Sequence, residues 1–379
     1  MRSLPSLVSL ALVPLALVAC APAYGEAFLA SFNAGKRAMH AGRFLEAARA
    51  YDDAASKAQR VKDRDEARLL EARAFAQAGQ WSDAQATYAR LITESPRGPN
   101  TPRAEMDYAE VEIHHGDVEK GYRLLEEAAR RNPNNGVTRP SIRRFVAHLG
   151  ETQGELAVLA WLRAQERAFR GTDQDQTIAY EEALCLDRMG RKQEAHDAFL
   201  ASAKVRPYPH GALTDDSLWQ AAQMDQDLGR HEEAVTHLRE LLSPMEARMP
   251  IVGKYDMASY ERPRFPEAQI RIAEIYRDVI KDRRAARREF EKADREHPQY
   301  RRHPYTVWAG AKLALEDGDQ PGACKLADRL AGELSWSRYA SCARAICPSA
   351  KEGKRACPDY LLRDLRGEEV EAGPQEEGE

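Results

Sequence analysis

Of the six cysteines in this chain, four crowd together near its end: Cys324, Cys342, Cys347 and Cys357. Thiols so grouped can be oxidised in pairs to disulfides or can hold zinc as thiolates. The spacings are not the paired C-x2-C of a zinc ribbon, so disulfide chemistry is favoured over metal binding. Four thiols this close would be out of place in a reducing cytosol and point to an oxidising compartment. Three pairings are open. Cys324–Cys342 would tie consecutive antiparallel helices, and Cys347–Cys357 would close the loop containing Pro348; these two are preferred. Cys185 stands alone beside Leu184 and Leu186 and reads as a buried free thiol.

Catalytic chemistry finds no comparable grouping. There is no Gly-rich phosphate loop, no His-Glu-x-x-His and no Gly-x-Ser-x-Gly elbow. His114 and His115 adjoin a turn with no ligand-spaced carboxylate beside them, and His297 and His303 flank the basic Arg301–Arg302 as loop residues. The chain is therefore expected not to be an enzyme and to need no cofactor or metal. Lys+Arg 56 against Asp+Glu 60 leaves a net charge of -4, which argues against a nucleic-acid partner. A hydrophobic content of 43% with 31% charged residues suits amphipathic helices around small local cores.

The elements that must position these residues are written as a recurring phrase. It reads Gly42, Phe44, Ala47, Tyr51, Ala54, then Gly79, Trp81, Ala84, Tyr88, Leu91, Pro96, then Gly116, Val118, Gly121, Leu125, Ala128, Pro133. Later copies are Gly190, Ala195, Phe199, Pro207; Gly229, Ala234, Leu238; and Gly318, Ala323, Ala327. A period of about 37 residues means an array of two-helix units. Glycine serves the turn, the small residue marks the closest approach of the two helices, the aromatic fills the gap to the next pair, and proline stops the second helix.

This pattern resembles the tetratricopeptide repeat (TPR) family over roughly residues 28 to 345. The resemblance implies an all-α fold, a right-handed α-solenoid of about eight helical hairpins, to which the late cysteines add a disulfide-stapled C-terminal cap. Two copies are degenerate. One runs through Ala157, Trp161 and Ala164, with Thr152 in place of the turn glycine. The other runs through Ala286, Phe290, Ala293 and Pro298, with Lys281-Asp282-Arg283 as its turn. The expected layout is repeats over 28–242, a Pro-rich connection at 243–266, further repeats over 267–345, a Cys-containing cap at 346–366 and a disordered acidic tail at 367–379.

Arg2 and the apolar run Leu7 to Val18 read as a secretion signal over 1–19. The run ends in Leu17-Val18-Ala19-Cys20, which resembles the bacterial lipobox. That likeness implies acylation of Cys20, a short tether over 20–27, and, with Ala21 next, sorting to the periplasmic face of the outer membrane of a Gram-negative bacterium. The tether reaches about 25 Å at full extension, so the repeats begin close to the bilayer. No second apolar span follows, so the lipid is the expected membrane attachment.

In tetratricopeptide arrays the fifth position of the first helix faces the concave groove or its rim. Counting from the turn glycines, that position is Phe32, Leu69, Met106, Tyr180, Trp219 and Trp308, with Arg188 and Lys312 beside it. These are the expected partner-binding residues, the alternative being that the large apolar ones are core filler packed against the next helix. The resemblance implies a protein-interaction scaffold or assembly factor for envelope proteins. The alternative is a glycan- or peptidoglycan-binding or enzyme-associated lipoprotein, which would want aromatics facing the groove, yet aromatic content is only 7%. The system served, the oligomeric state and the role of the connection are not written in the sequence.

Overall fold

The computed structural model describes residues 25–208, 210–246, 264–351, 353 and 355–368. The signal segment and Cys20, most of the 243–266 connection and all but the first residues of the 367–379 tail lie outside them. The chain divides into two compact units, Met1–His148 and Leu149–Glu379. Every regular element among the described residues is helical.

In the first unit the helices pair as α1 (Glu26–His40) with α2 (Phe44–Lys57), α3 (Val61–Gln77) with α4 (Trp81–Glu94), and α5 (Thr101–His115) with α6 (Val118–Arg131). α7 (Thr138–Gln153) runs across the division. The second unit continues with α8 (Glu155–Phe169), then α9 (Asp175–Arg188) with α10 (Lys192–Val205), and α11 (Thr214–Asp227) with α12 (His231–Glu246). After the connection come α13 (Arg264–Ile275) with α14 (Arg283–Glu296) and α15 (His303–Glu316) with α16 (Gln320–Ala331). A 3-10 turn (Arg338–Cys342), α17 (Ala343–Ile346) and α18 (Asp359–Leu365) close the chain. The α-hairpin repeat expected from the sequence is the observed fold.

Of the six turn glycines of the phrase, all but Gly116 (φ -139°) take the left-handed conformation. Gly42, Gly79, Gly190, Gly229 and Gly318 sit at φ between 70° and 75°. In each case the next residue donates its N–H back across the helix end: Arg43 to Ala38, Gln80 to Phe75, Arg191 to Leu186, Arg230 to Asp225 and Asp319 to Ala314. This is the Schellman closure, and only glycine enters it without a Cβ clash. Proline follows two residues after α4, α6, α10 and α14, at Pro96, Pro133, Pro207 and Pro298.

Two turns depart from the expected register. The fourth turn is made by Gly154 at φ 83°, not at Thr152, which is still inside α7. In the seventh pair, α13 runs into a π-helical turn (Tyr276–Ile280) and Lys281 takes the left-handed position at φ 63°. Asp282 then caps α14 by accepting from the Ala285 N–H.

Packing follows the phrase. The small position is buried in seven copies, at Ala47, Ala84, Gly121, Ala195, Ala234, Ala286 and Ala323, whereas Ala157 of the degenerate fourth copy is only half-buried and Ala164 is exposed. A Cβ on Gly121 would stand 2.9 Å from the Ala109 carbonyl, so α5 and α6 touch backbone to backbone there. The bulky positions Tyr51, Tyr88, Leu125, Phe199, Leu238 and Phe290 are buried too. Each contributes about 1.5–3 kcal/mol over leaving it in water.

Candidate functional site

The first helices of the three hairpins in unit 1 share a surface depression. It has a volume of about 370 Å³ and is bordered by Met39, Phe44, Arg73, Gln77, Asp107 and Glu110, so that α1, α3 and α5 all contribute to it. Its floor is partly apolar and its rim is charged. Arg73 bonds Asp107 at 2.7 Å, and Arg103 holds the other oxygen of Asp107 at 3.0 Å. Glu110 pairs with Arg144 and lies 3.5 Å from His114. One hairpin earlier, the Lys36 ammonium sits 4.8 Å over the Phe32 ring. Such pairs are half exposed and cheap to exchange for pairs with a partner.

Behind α3 lies a second depression of about 310 Å³, lined by Asp52, Glu71, Asp83, Thr87 and Arg90. Burial, and then the charge of Asp52, push the Glu71 carboxyl up to about 7 against the pull of Arg68. Glu71 lies 3.2 Å from Arg68 and 3.4 Å from Arg90. This reads as a structural ion cluster, since none of these side chains is a nucleophile aimed at a reacting position.

The residues expected to line the groove fall into two sets. Phe32, Leu69, Tyr180 and Trp308 are buried, which corrects their assignment to a displayed surface. The reason is that this position turns inward, onto the aromatic of the second helix. Phe32 meets Tyr51 and Tyr180 meets Phe199, both at 5.6 Å between ring centroids. Trp308 meets Tyr339 at 5.5 Å. Met106 and Trp219 are half-buried. Trp219 is covered by the Arg264 guanidinium at 5.2 Å, which Asp216 holds at 3.0 Å.

The two cations expected beside the groove are already engaged. Arg188 makes a two-pronged pair with Glu155 at 2.6 and 3.0 Å. Lys312 bonds Asp364 at 2.5 Å. The groove-lining side chains in unit 1 are instead those one helical turn further on. Arg73 lies one turn after Leu69, and Glu110 one turn after Met106. Charge recurring at the repeat period was the available signal. Trp336, between α16 and the 3-10 turn, lies outside the repeat phrase and is 73% exposed, the most exposed large apolar side chain among the described residues.

The terminal cap holds two disulfides, but not in the preferred pairing. Cys324 bonds Cys347, with Cα atoms 4.9 Å apart, and Cys342 bonds Cys357, at 4.6 Å. α17 folds back onto α16, which carries Cys347 to Cys324, while the segment entering α18 returns past the 3-10 turn and meets Cys342. The bridges surround a core of Trp308, Leu330, Tyr339, Ile346 and Leu361. Cys185 is free and buried, as expected, and burial first, then the hydrogen bond and charge of the Glu155 side chain, push its thiol up to about 12.

Residues 32–99 and 69–136 each match the tetratricopeptide repeat model. Residues 32–136 carry tetratricopeptide repeats. No curated protein matches it in sequence. Among solved structures it is similar to the C-terminal part of a TPR repeat-containing protein from Cytophaga hutchinsonii, at 10% identity over 73% of this chain and 98% of that one, TM-score 0.43. A tetratricopeptide repeat protein from Parabacteroides merdae aligns at 11% identity over 77% and 100%, TM-score 0.34. PilW, a widely conserved type IV pilus biogenesis factor, aligns at 11% identity over 64% and 98%, TM-score 0.38.

Proposed function

We propose that this chain is a protein-interaction scaffold of the bacterial envelope, acylated on Cys20 at the periplasmic face of the outer membrane, that recruits or assembles other envelope proteins. The observation that carries the scaffold reading is the depression across α1, α3 and α5, within the residues that match the tetratricopeptide model. Its apolar floor and exchangeable ion pairs suit an extended or helical protein segment. The envelope location rests on the Leu17-Val18-Ala19-Cys20 ending of the apolar run and on two disulfides in the cap. No helix among the described residues is long and apolar enough to cross a membrane. The glycan-binding alternative asked for aromatic platforms in the groove, and burial of Tyr180 and Trp308 removes two of them.

A photo-crosslinking residue placed at Gln77, on the rim, tests the scaffold reading in intact cells. It should trap a discrete protein that the same residue at the exposed Glu46 on α2 does not. Equal patterns from both positions, or no adduct from either, would end it. The anchor is tested separately: Cys20→Ser should block processing, and recovery of the native chain without acyl groups would refute it.

A further inference from the structure

We propose that His196, Asp225 and His237 form a divalent metal site that takes zinc through two imidazole nitrogens and one carboxylate oxygen. The three residues come from successive helices α10, α11 and α12, and their donor atoms all lie within 4.8 Å of one another. Asp225 is fully buried and His196 nearly so. His196 Nε2 stands 3.1 Å from Asp225 Oδ1, and His237 Nδ1 stands 2.7 Å from Oδ2.

Two observations set this group apart from an ordinary buried ion cluster. His196 Nε2 and Asp225 Oδ1 are both shielded from solvent, and despite their proximity neither is aligned for a hydrogen bond with any group. Native interiors seldom leave two such atoms unsatisfied side by side. The other face of the His196 ring is already fixed: Nδ1 lies 2.9 Å from the Asp197 carboxylate. With the Nδ1–H donating to that carboxylate, a neutral ring would offer its Nε2 lone pair to a metal bound beside Asp225. An outer carboxylate orienting a histidine in this way is the usual support of a metal ligand. Zinc bonds of about 2.0–2.1 Å in a tetrahedral sphere need donors roughly 3.3 Å apart, against 3.1 Å between His196 Nε2 and Asp225 Oδ1 and at most 4.8 Å within the group. Two nitrogens and one oxygen favour zinc over calcium or magnesium, and they leave a fourth position for water or for a ligand from a partner.

Arg230 is the internal competitor. Its Nε lies 3.1 Å from Asp225 Oδ1, and neither Nε nor one terminal nitrogen finds a hydrogen bond. Its other terminal nitrogen reaches Gln193 at 3.1 Å. The side chain is 31% exposed and follows the Gly229 turn, so it can swing outward as the metal takes its place on the carboxylate.

The test is titration of the metal-free, untagged full chain with Zn(II) by calorimetry and with Co(II) by visible absorption. One equivalent should bind, with the strong visible bands of a tetrahedral Co(II) centre. His237→Gln, at a half-buried position, should weaken binding by about tenfold or more. His196→Gln should do the same, and Arg230→Gln should tighten binding. The exposed His114→Gln serves as the control and should change nothing. If His196→Gln does not fold, His237→Gln and Arg230→Gln decide the matter. No binding by the native chain, or binding indifferent to His237→Gln, overturns the site.

Discussion

Trp308 donates its indole N–H to Asp364 across 3.2 Å, joining the eighth hairpin to the terminal helix α18. The same carboxylate takes the Lys312 ammonium. The indole is 2% exposed, so its bulk belongs to the cap core. Trp308→Ala should therefore destabilise the second unit by about 3–5 kcal/mol. Trp219→Ala, at a half-buried position under Arg264, should cost clearly less. Urea denaturation followed by circular dichroism separates the two, and equal costs would contradict the burial difference.

Lys281 holds a left-handed conformation that its counterparts assign to glycine. Lys281→Gly should raise stability by about 1 kcal/mol, because it relieves the Cβ clash at that turn. Gly318→Ala, at φ 75° with open space around it, should lower stability by a similar amount through backbone strain alone. Thermal denaturation of both variants reads the two signs.

Two carboxyls give opposite pH dependences. Asp294 joins α14 to α15 and α16 through His303 at 2.6 Å and Arg329 at 2.6 Å. Burial pushes its carboxyl up, but the hydrogen bonds from His303 and Arg329 outweigh that and hold it at about 2, below the ordinary 3.8. Its stabilising contribution is thus complete above pH 3.8 and lost as pH falls through about 2. Glu71 is raised from 4.5 to about 7, so the folded state holds its proton more tightly; that contribution is complete below pH 4.5 and lost as pH rises through about 7. Asp294→Asn should flatten the acid limb of stability against pH, and Glu71→Gln the slope between 4.5 and 7. Urea midpoints across pH provide the measurement.

Mass spectrometry of an unreduced digest should recover Cys324 linked to Cys347 and Cys342 linked to Cys357. Replacing either pair with serine should cost about 3 kcal/mol, confined to the last hairpin and cap. Recovery of a Cys324–Cys342 peptide would contradict the structure.

What the sequence made legible was the local geometry. Gly42, Gly79, Gly190, Gly229 and Gly318 announce their turns because the left-handed closure tolerates little else, and the small and bulky positions follow at fixed offsets from each. Gly154 was passed over because the fourth copy has lost the rest of its phrase, and Lys281 because it does glycine's work without glycine. The direction of the fifth helix position was not legible. Phe32 and Tyr180 turn inward because of partners on the second helix, which is a matter of packing. The disulfide pairing depended on how α17 and α18 fold back, which no spacing encodes. His196, Asp225 and His237 escaped notice because each comes from a different helix, and the repeat brings them together only in three dimensions.

The two bridges of the cap overlap along the chain: one spans 324 to 347 and the other 342 to 357. A single break anywhere between Cys324 and Cys357 therefore crosses at least one bridge and frees nothing. Protease cutting after the exposed Arg344 would leave α18 tethered until a reductant arrived, whereas successive, non-overlapping loops would have let it go. The end of the chain is built to survive a nick.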